Sequence, residues 1–207
     1  MTSAIALGAN LPSPAGSPED TLAATLARLA ALGRITACSS LYSTAPVGLA
    51  DQPRFLNAVL TLETSLTPFE LLGSLLALEQ EFGRDRLNAI ADGPRTLDLD
   101  LILYSDFVLS ESCLEVPHPR FAQRAFVLIP LNEIAPHLRD PRSGRTVSEL
   151  FVALRSADPA SRLAVHDTDA VVKIDSDRWR AALAGALDAS RASDAARPFA
   201  SPDLDHD

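Results

Sequence analysis

Residues 93–104 read Gly-Pro-Arg-Thr-Leu-Asp-Leu-Asp-Leu-Ile-Leu-Tyr, and this stretch decides what the chain can fold into. Its leucines alternate with other residues, which indicates a β-strand with one face against a core (Leu97, Leu99, Leu101 and Leu103). Because side chains alternate along a strand, Asp98 and Asp100 are expected to point together from the opposite face.

The two aspartates indicate a chemistry as well as a strand. Neighbouring carboxylates repel each other unless a cation joins them. A hard divalent ion such as Mg2+ takes oxygen ligands and is often shared between carboxylates and substrate phosphates, which Arg95 could also neutralise. The pair therefore suggests metal-assisted phosphoryl chemistry. The alternative is a solvated strand face that carries two unrelated acids.

The composition narrows the classes of protein. The 207 residues suffice for one domain with a full core and an appendage, and the net charge of -9 argues against a general nucleic-acid surface. Lys173 is the only lysine, so a phosphate must be bound by arginine in the rest of the chain. Cys38 and Cys113 have no metal-ligand spacing and are expected to be free thiols in a reducing compartment. The chain lacks a signal-peptide pattern and an apolar run of membrane-spanning length, so we expect a cytoplasmic protein.

The apolar periodicity predicts the order β-α-β-β-α-β. The predicted strands are residues 3–8, 35–42, 55–62 and the Asp-Leu-Asp strand, and the predicted helices are residues 18–32 and 68–82. Ser17 and Thr67 are the expected N-caps, with Pro18 and Glu70 completing the helix-start signals. This order is typical of a ferredoxin-like α+β sandwich, in which two helices cover one face of an antiparallel sheet. The other face is then free to hold a ligand or another layer, and two further helices are expected at residues 124–134 and 146–154.

A change of composition divides the chain near residue 157. We predict a domain over residues 1–156 and an acidic extension, rich in Ala, Ser and Asp, over residues 157–207. In this extension, residues 178–189 could form a helix with Trp179 as a docking contact, whereas residues 192–207 are expected to be disordered. No chemistry is assigned to it.

Six segments occur in an order and spacing that resemble one enzyme family. They are Gly8–Leu11, Tyr42–Gly48, Asp51–Asn57, Gly83–Arg84, Gly93–Asp100, and Val116–Arg120 followed by Arg124–Phe126. Over roughly residues 3–155 the chain thus resembles the 6-hydroxymethyl-7,8-dihydropterin pyrophosphokinases of folate biosynthesis.

The resemblance implies a reaction, its substrates and its cofactor. A pyrophosphoryl group would pass from ATP to the hydroxymethyl oxygen of the pterin, leaving AMP. Asp98 and Asp100 would hold two Mg2+ ions around the triphosphate, and Asp100 is a possible proton acceptor. The partners would be these small molecules alone, without nucleic acid or membrane, and the protein would be a monomer.

The resemblance also implies roles for individual residues. The catalytic residues would be Arg84, Arg95 and Asp100. The ATP-binding residues would be Glu79, Arg84, Arg95, His118 and Arg124. The pterin-binding residues would be Thr44, Val47, Phe55, Asn57 and Phe126, with the two phenylalanines stacking on the ring. Arg86 and Arg120 carry weaker signals.

Other functions remain open at the level of the sequence. Many family members carry an aromatic and a basic residue just before Gly-Pro-Arg, whereas this chain has Ala89–Asp92. This difference leaves a catalytically degenerate paralogue as one alternative. A small-ligand-binding ferredoxin-like module is another, because such domains often serve as sensors, although a sensor does not need paired acids beside Arg84 and Arg95. A glycosyltransferase can also use an Asp-x-Asp pair, but the chain has too few βαβ units for its usual nucleotide domain.

Overall fold

A computed structural model describes residues 1–46, 49, 51–86, 90, 92–156 and 171–195. The elements in chain order are β1 (Thr2–Ala9), α1 (Pro18–Ala30), β2 (Arg34–Cys38), β3 (Leu41–Thr44), β4 (Phe55–Glu63), α2 (Pro68–Glu81), β5 (Asp98–Tyr104), β6 (Leu109–Glu111), β7 (Leu114–Val116), α3 (Ala125–Ile134), α4 (Val147–Ser156), β8 (Val171–Ile174) and α5 (Asp177–Ala195). The predicted βαββαβ order and the antiparallel α+β fold class are confirmed.

One antiparallel sheet organises the molecule. Its main path runs β5-β1-β4-β3-β8, and β2 pairs with the other half of β4. The single strand predicted over residues 35–42 is wrong in this respect, because it is broken at Ser39. Cys38 lies opposite Leu60, and Tyr42 lies opposite Asn57. Between these two pairs, the segment that joins β2 and β3 therefore contains one residue more than the facing segment of β4. Ser39 fills this bulge by bonding the backbone of Val59 through both its amide and its hydroxyl.

Helices cover both faces of the sheet. On the first face, α1 and α2 begin with the predicted capping boxes at Ser17 and Thr67 and pack their leucines on the sheet. On the second face, α3 and α4 cover the small side chains of β1 and β4, such as Ala6 and Val59. The second face is therefore only partly free, and the uncovered part holds the candidate site.

A bulge changes the alternation of β5. Ala4 pairs with Leu103 whereas Ile5 pairs with Leu101, so Ile102 is an extra residue. Leu99 and Leu101 pack in the core of the first face as predicted, but Leu103 lies in the core of the second face. The expectation of four leucines on one face is wrong for Leu103 for this reason.

The C-terminal elements pack on the rest of the chain. The strand β8 pairs with β3 along residues 171–174, and α5 contacts α1 and β2. Trp179 is buried, and its indole Nε1 donates to the carbonyl of Ser39 at 3.0 Å. The helix extends to Ala195, so residues 192–195 are helical where disorder was expected. Within the described ranges, no helix is long and apolar enough to cross a membrane.

Candidate active site

A cavity of about 410 Å³ opens on the uncovered part of the second face, next to the first turn of α3. Its floor is a row of three residues on adjacent strands, because Gly8 of β1 lies between Asp98 of β5 and Asn57 of β4. A Cβ atom at Gly8 would lie 3.0 Å from Asn57 Oδ1 and 3.7 Å from Asp98 Cβ. Glycine therefore keeps the floor open between a carboxylate and an amide.

Most of the residues expected at the site line this cavity. They are Thr44, Phe55, Asn57, Arg84, Arg95, Asp98, Asp100, His118, Arg124 and Phe126. Glu79 does not line it, and Val47 lies outside the described residues. Arg86 and Arg120, which carried weaker signals, line it as well. Asp98 and Asp100 lie on β5, whereas Phe55 and Asn57 lie on β4, with β1 between them. We call these two sides of the cavity the ionic end and the aromatic end, although Arg95 and Arg124 each contact a phenylalanine ring.

Asp98 is held by two arginines. Arg84 Nη1 donates to Asp98 Oδ1, and Arg95 Nη1 lies 3.4 Å from Oδ2. The guanidinium carbon of Arg95 also lies 5.1 Å from the centre of the Phe55 ring, in the geometry of a cation–π contact. Arg95 Nε is buried without a hydrogen-bond partner among the described residues. Because a buried donor without an acceptor is costly, this atom is suited to an anionic ligand.

Asp100 carries negative charge that its surroundings compensate only in part. Its nearest cation is Arg124, whose Nη1 lies 3.4 Å from Oδ2. Burial and the charge of Asp98 raise the pKa of Asp100 to about 6, although Arg124 opposes them. A cation between the two carboxylates would relieve this repulsion.

The donor set at Asp98 and Asp100 fits a hard divalent ion. Both side chains offer carboxylate oxygens on one strand face, and these are the ligands that Mg2+ takes. Among the described residues, no three or more acidic, histidine or cysteine side chains are placed to hold a metal ion together. The remaining ligands would therefore be phosphate oxygens and water, as is usual for Mg2+ at nucleotide sites.

Glu79 lies beneath the ionic end and organises it. Its side chain is fully buried, and Oε1 accepts hydrogen bonds from Arg84 Nη1 at 2.5 Å and from the amide of Leu99 at 2.8 Å. Its Oε2 accepts two hydrogen bonds from Arg86. Burial raises the pKa of Glu79, while these donors lower it. The structure does not bring the carboxylate to the cavity, so its geometry is that of a positioning residue rather than of the expected nucleotide contact.

His118 and Arg124 present donors at the same end of the cavity. His118 Nδ1 accepts from the amide of Arg120 at 3.2 Å, which assigns the proton of the neutral ring to Nε2. Burial, followed by the charges of Arg124 and Arg120, lowers the pKa of His118 to about 4, so the ring is neutral at pH 7. Nε2 lies 3.4 Å from Arg124 Nη1. Two donors therefore converge where a substrate oxygen could accept from both.

The aromatic end carries two phenylalanine side chains and one amide side chain. Phe55 and Phe126 both line the cavity. Arg124 lies 5.5 Å from the Phe126 ring centre, as Arg95 does for Phe55 at 5.1 Å. Asn57 Nδ2 donates to Thr44 Oγ1 at 2.7 Å, which fixes the orientation of the amide. These groups suit a planar heterocycle with hydrogen-bonding edges.

The ionic and aromatic ends agree with a comparison of the chain against known families. Residues 4–136 match the family described as 7,8-dihydro-6-hydroxymethylpterin-pyrophosphokinase. A Synechocystis pyrophosphokinase of this kind is 47% identical over 149 residues, which cover 71% of this chain and 73% of the relative. A Pseudomonas aeruginosa relative is 46% identical over 151 residues, which cover 72% of this chain and 89% of the relative. The chain belongs to this family.

Solved structures support the fold of this pyrophosphokinase domain. A Plasmodium falciparum HPPK-DHPS triple mutant with pteroate superposes with a TM-score of 0.62 at 14% identity, over 84% of this chain and 46% of the solved chain. A second HPPK-DHPS structure, with STZ-DHP, gives a TM-score of 0.63. This chain spans about half the length of those proteins, and the similarity shows the fold alone.

Gly8 lines the cavity and Asn10 lies next to it, bonded to the backbone of Arg95, but neither residue has a role in the sequence-based prediction. Asn10 Oδ1 accepts from the amide of Arg95 at 2.8 Å, and its Nδ2 donates to Gln52 Oε1 at 3.0 Å. Gln52 in turn donates to the carbonyl of Asp92 at 2.9 Å. Asn10 thereby connects the end of β1 with both neighbouring loops. Both residues belong to the segment Gly8–Leu11 that contributes to the family resemblance. Their roles could not be predicted, because their partners lie far away in the sequence.

Proposed function

We propose that the chain transfers pyrophosphate from ATP to 6-hydroxymethyl-7,8-dihydropterin in folate biosynthesis, with Mg2+ as cofactor. The observation that carries this proposal is that one cavity combines two chemically different sides, the ionic end and the aromatic end. Paired aspartates surrounded by arginines suit a metal-bound triphosphate, and two phenylalanines beside an amide suit a pterin. Membership of the pyrophosphokinase family supports the same pair of substrates.

The ionic end would bind the nucleotide. Asp98 and Asp100 would hold the Mg2+ ions, which when bound neutralise phosphate charge and polarise the phosphoryl oxygens. Arg95 would donate to the transferred group, because it lies beside Asp98 and its buried Nε has no hydrogen-bond partner among the described residues. His118 and Arg124 would donate to an oxygen further along the nucleotide. Phosphoryl transfer needs this positioning and charge stabilisation more than covalent chemistry from the protein.

The aromatic end would bind the pterin. Phe55 and Phe126 would stack on the ring, and Asn57 would bond its edge with the amide oxygen. The hydroxymethyl oxygen would then face the ionic end and attack the β-phosphorus, with AMP as the leaving group. Asp100, which lies on the same strand face as Asp98, would accept the hydroxyl proton.

The first experiment is to measure AMP release from ATP and Mg2+ with and without the pterin. We expect AMP release that depends on the pterin, and we expect EDTA to stop it and added Mg2+ to restore it. Asp98→Ala should lower kcat at least about 100-fold, because metal stabilisation contributes several kcal/mol. Asp106→Ala is the matched control, since Asp106 is an exposed acid just beyond the other end of β5.

Two results would contradict the proposal. Binding of ATP and pterin without AMP release would indicate a degenerate paralogue that keeps the site but not the reaction. Full activity of Asp98→Ala, or activity that is indifferent to EDTA, would remove the metal role from the aspartate pair. Equal losses in Asp98→Ala and Asp106→Ala would show a general effect of charge rather than a site at Asp98.

A further inference from the structure

Five arginines line the cavity, and four of them have a carboxylate partner. Arg84 pairs with Glu79 and Asp98, Arg86 with Glu79, Arg95 with Asp98, and Arg124 with Asp100. Arg120, the fifth, has no carboxylate partner in the part of the chain that the structure describes. The protein therefore presents one lining cation whose charge no described acid offsets.

The backbone fixes the place from which Arg120 extends. The amide of His118 donates to the carbonyl of Ile102 at 2.9 Å, at the bulge of β5. The amide of Arg120 donates to His118 Nδ1 at 3.2 Å, and its carbonyl accepts from the amide of Gln123 at 3.1 Å. Arg120 is therefore anchored on both sides, and its exposed side chain begins at the cavity wall.

The charge of Arg120 is felt by its neighbours at this end. Burial is the main cause of the lowered pKa of His118, and the charges of Arg124 and Arg120 add to it. Burial also lowers the pKa of Arg124; Asp100 opposes this and Arg120 reinforces it. Two like charges beside a neutral donor ring are unfavourable without an anion, and a polyanion would relieve their repulsion.

We propose that Arg120 is a nucleotide-binding residue, which holds a phosphate oxygen at the His118–Arg124 end of the cavity. This inference rests on the proposed function, because it takes the polyanion to be ATP. Arg120 differs from the other lining arginines, which are already committed to acids. Its contribution is to the affinity for the polyphosphate chain, whereas Arg84 and Arg95 act beside the aspartate pair.

The test compares Arg120→Gln and Arg120→Lys with Arg139→Gln. Arg139 is also an exposed arginine, but it lies outside the cavity and donates to the carbonyl of Gly144. Calorimetry gives the Kd of a non-hydrolysable ATP analogue and of AMP, and steady-state kinetics with saturating pterin gives kcat and the KM for ATP.

We expect Arg120→Gln to raise the Kd of the ATP analogue and the KM for ATP about tenfold, the usual effect of losing one charge-assisted hydrogen bond. The kcat should change less than about twofold. Arg120→Lys should keep part of the affinity, because the charge remains but the bidentate geometry is lost. The preference for the ATP analogue over AMP should fall in Arg120→Gln and stay at the wild-type value in Arg139→Gln.

Unchanged Kd and KM in Arg120→Gln would overturn the inference and leave Arg120 a solvated side chain. A loss confined to kcat would overturn it as well, because that result indicates a role in the chemical step. An equal loss in Arg139→Gln would show that only the net charge matters. If the wild type released no pterin-dependent AMP, the proposed function would fail, while the calorimetric comparison would still decide the role of Arg120.

Discussion

Glu79 and Arg84 form an ion pair of 2.5 Å in which the carboxylate is fully buried and the guanidinium is 12% exposed. The same arginine nitrogen also donates to Asp98 and to the carbonyl of Leu97. One buried acid on α2 thus sets the position of the arginine that touches the aspartate pair. Glu79 thereby connects the helix layer on the first face of the sheet with the cavity on the second face.

Glu79→Gln should therefore impair both stability and activity. Removing one partner of a buried ion pair leaves Arg84 incompletely compensated, which costs about 3 kcal/mol of unfolding free energy. Since Arg84 would lose its orientation toward Asp98, kcat should fall at least about tenfold. Urea unfolding and AMP release measure the two effects.

Glu81→Gln is the matched control for that change. Glu81 also lies on α2 and pairs with Arg28, but both side chains are about half exposed. Loss of such a surface pair should cost less than about 1 kcal/mol and leave kcat unchanged. Equal effects of the two substitutions would contradict the positioning role of Glu79.

The aspartate pair could be predicted from the sequence, but the position of Glu79 could not. The period of two places Asp98 and Asp100 on one face without knowledge of any partner strand. The burial of Glu79 depends on how α2 packs against β5, and the sequence offers only a polar residue late in an amphipathic helix. Its most informative contact, with the amide of Leu99, joins residues from two different elements.

Gly8→Ala should weaken pterin binding more than ATP binding. The new methyl group would lie 3.0 Å from Asn57 Oδ1, so the amide would have to move away from its bond with Thr44. If Asn57 bonds the pterin edge, the KM for the pterin should rise about tenfold. The KM for ATP should change less than about threefold, because Asp98 Cβ would remain at an ordinary distance of 3.7 Å.

Gly73→Ala is the control for the added methyl group. Gly73 is exposed in the middle of α2, and nothing lies within 4 Å of the position that a Cβ atom would take there. Alanine should stabilise the helix by up to about 1 kcal/mol without changing either KM. A pterin KM that is unaffected in Gly8→Ala would show that the floor of the cavity tolerates a side chain.

The C-terminal helix is expected to unfold together with the sheet. Trp179 is 3% exposed and is packed in the same core as β1 and α1. Trp179→Ala should lower the unfolding free energy by about 3–5 kcal/mol, as measured by urea denaturation followed by circular dichroism. Val172→Ala on β8 is the control, because the side chain of Val172 is 53% exposed. This substitution should lower the unfolding free energy by less than about 0.5 kcal/mol.

The single tryptophan gives an independent readout of the same prediction. In the wild type, the fluorescence of Trp179 and circular dichroism should report one coincident transition. A fluorescence transition at lower urea than the change in circular dichroism would show that α5 detaches before the sheet unfolds. That result would support a separable extension after residue 156.

The bulges and the last strand show where prediction from the sequence stops. Helix starts at Ser17 and Thr67 are local signals, because the capping side chain and its partner lie three residues apart. The bulge at Ile102 depends on the register with β1, and β8 depends on pairing with β3. A four-residue strand has little local preference of its own, so its formation rests on tertiary contacts.

Glu133 on α3 connects this last strand with the aromatic end of the cavity. Its carboxylate accepts from the amide and hydroxyl of Ser40, from Tyr42 Oη at 3.0 Å and from Lys173 Nζ at 3.0 Å. Burial raises the pKa of Glu133, but the hydrogen bonds from Ser40, Lys173 and Tyr42 outweigh it, and the pKa lies below its ordinary value of 4.5. Tyr42 lies opposite Asn57 in the sheet, so the cluster braces the strand pair beside the aromatic end.

The stabilisation from Glu133 should disappear in acid. Because its folded pKa is depressed, the stabilisation is fully present above the unfolded pKa of about 4.5 and is lost as the pH falls through the folded value. At pH 7, Glu133→Gln should be less stable than the wild type by about 1 kcal/mol, since Lys173 is exposed and screened. The difference should shrink steadily once the pH drops below 4.5, whereas Glu111→Gln, which alters an exposed acid on β6, should show no such trend. Urea unfolding at a series of pH values measures the difference in stability between Glu133→Gln and the wild type. If that difference stayed constant down to acid pH, the charge of the Glu133 carboxylate would not be what stabilises the cluster.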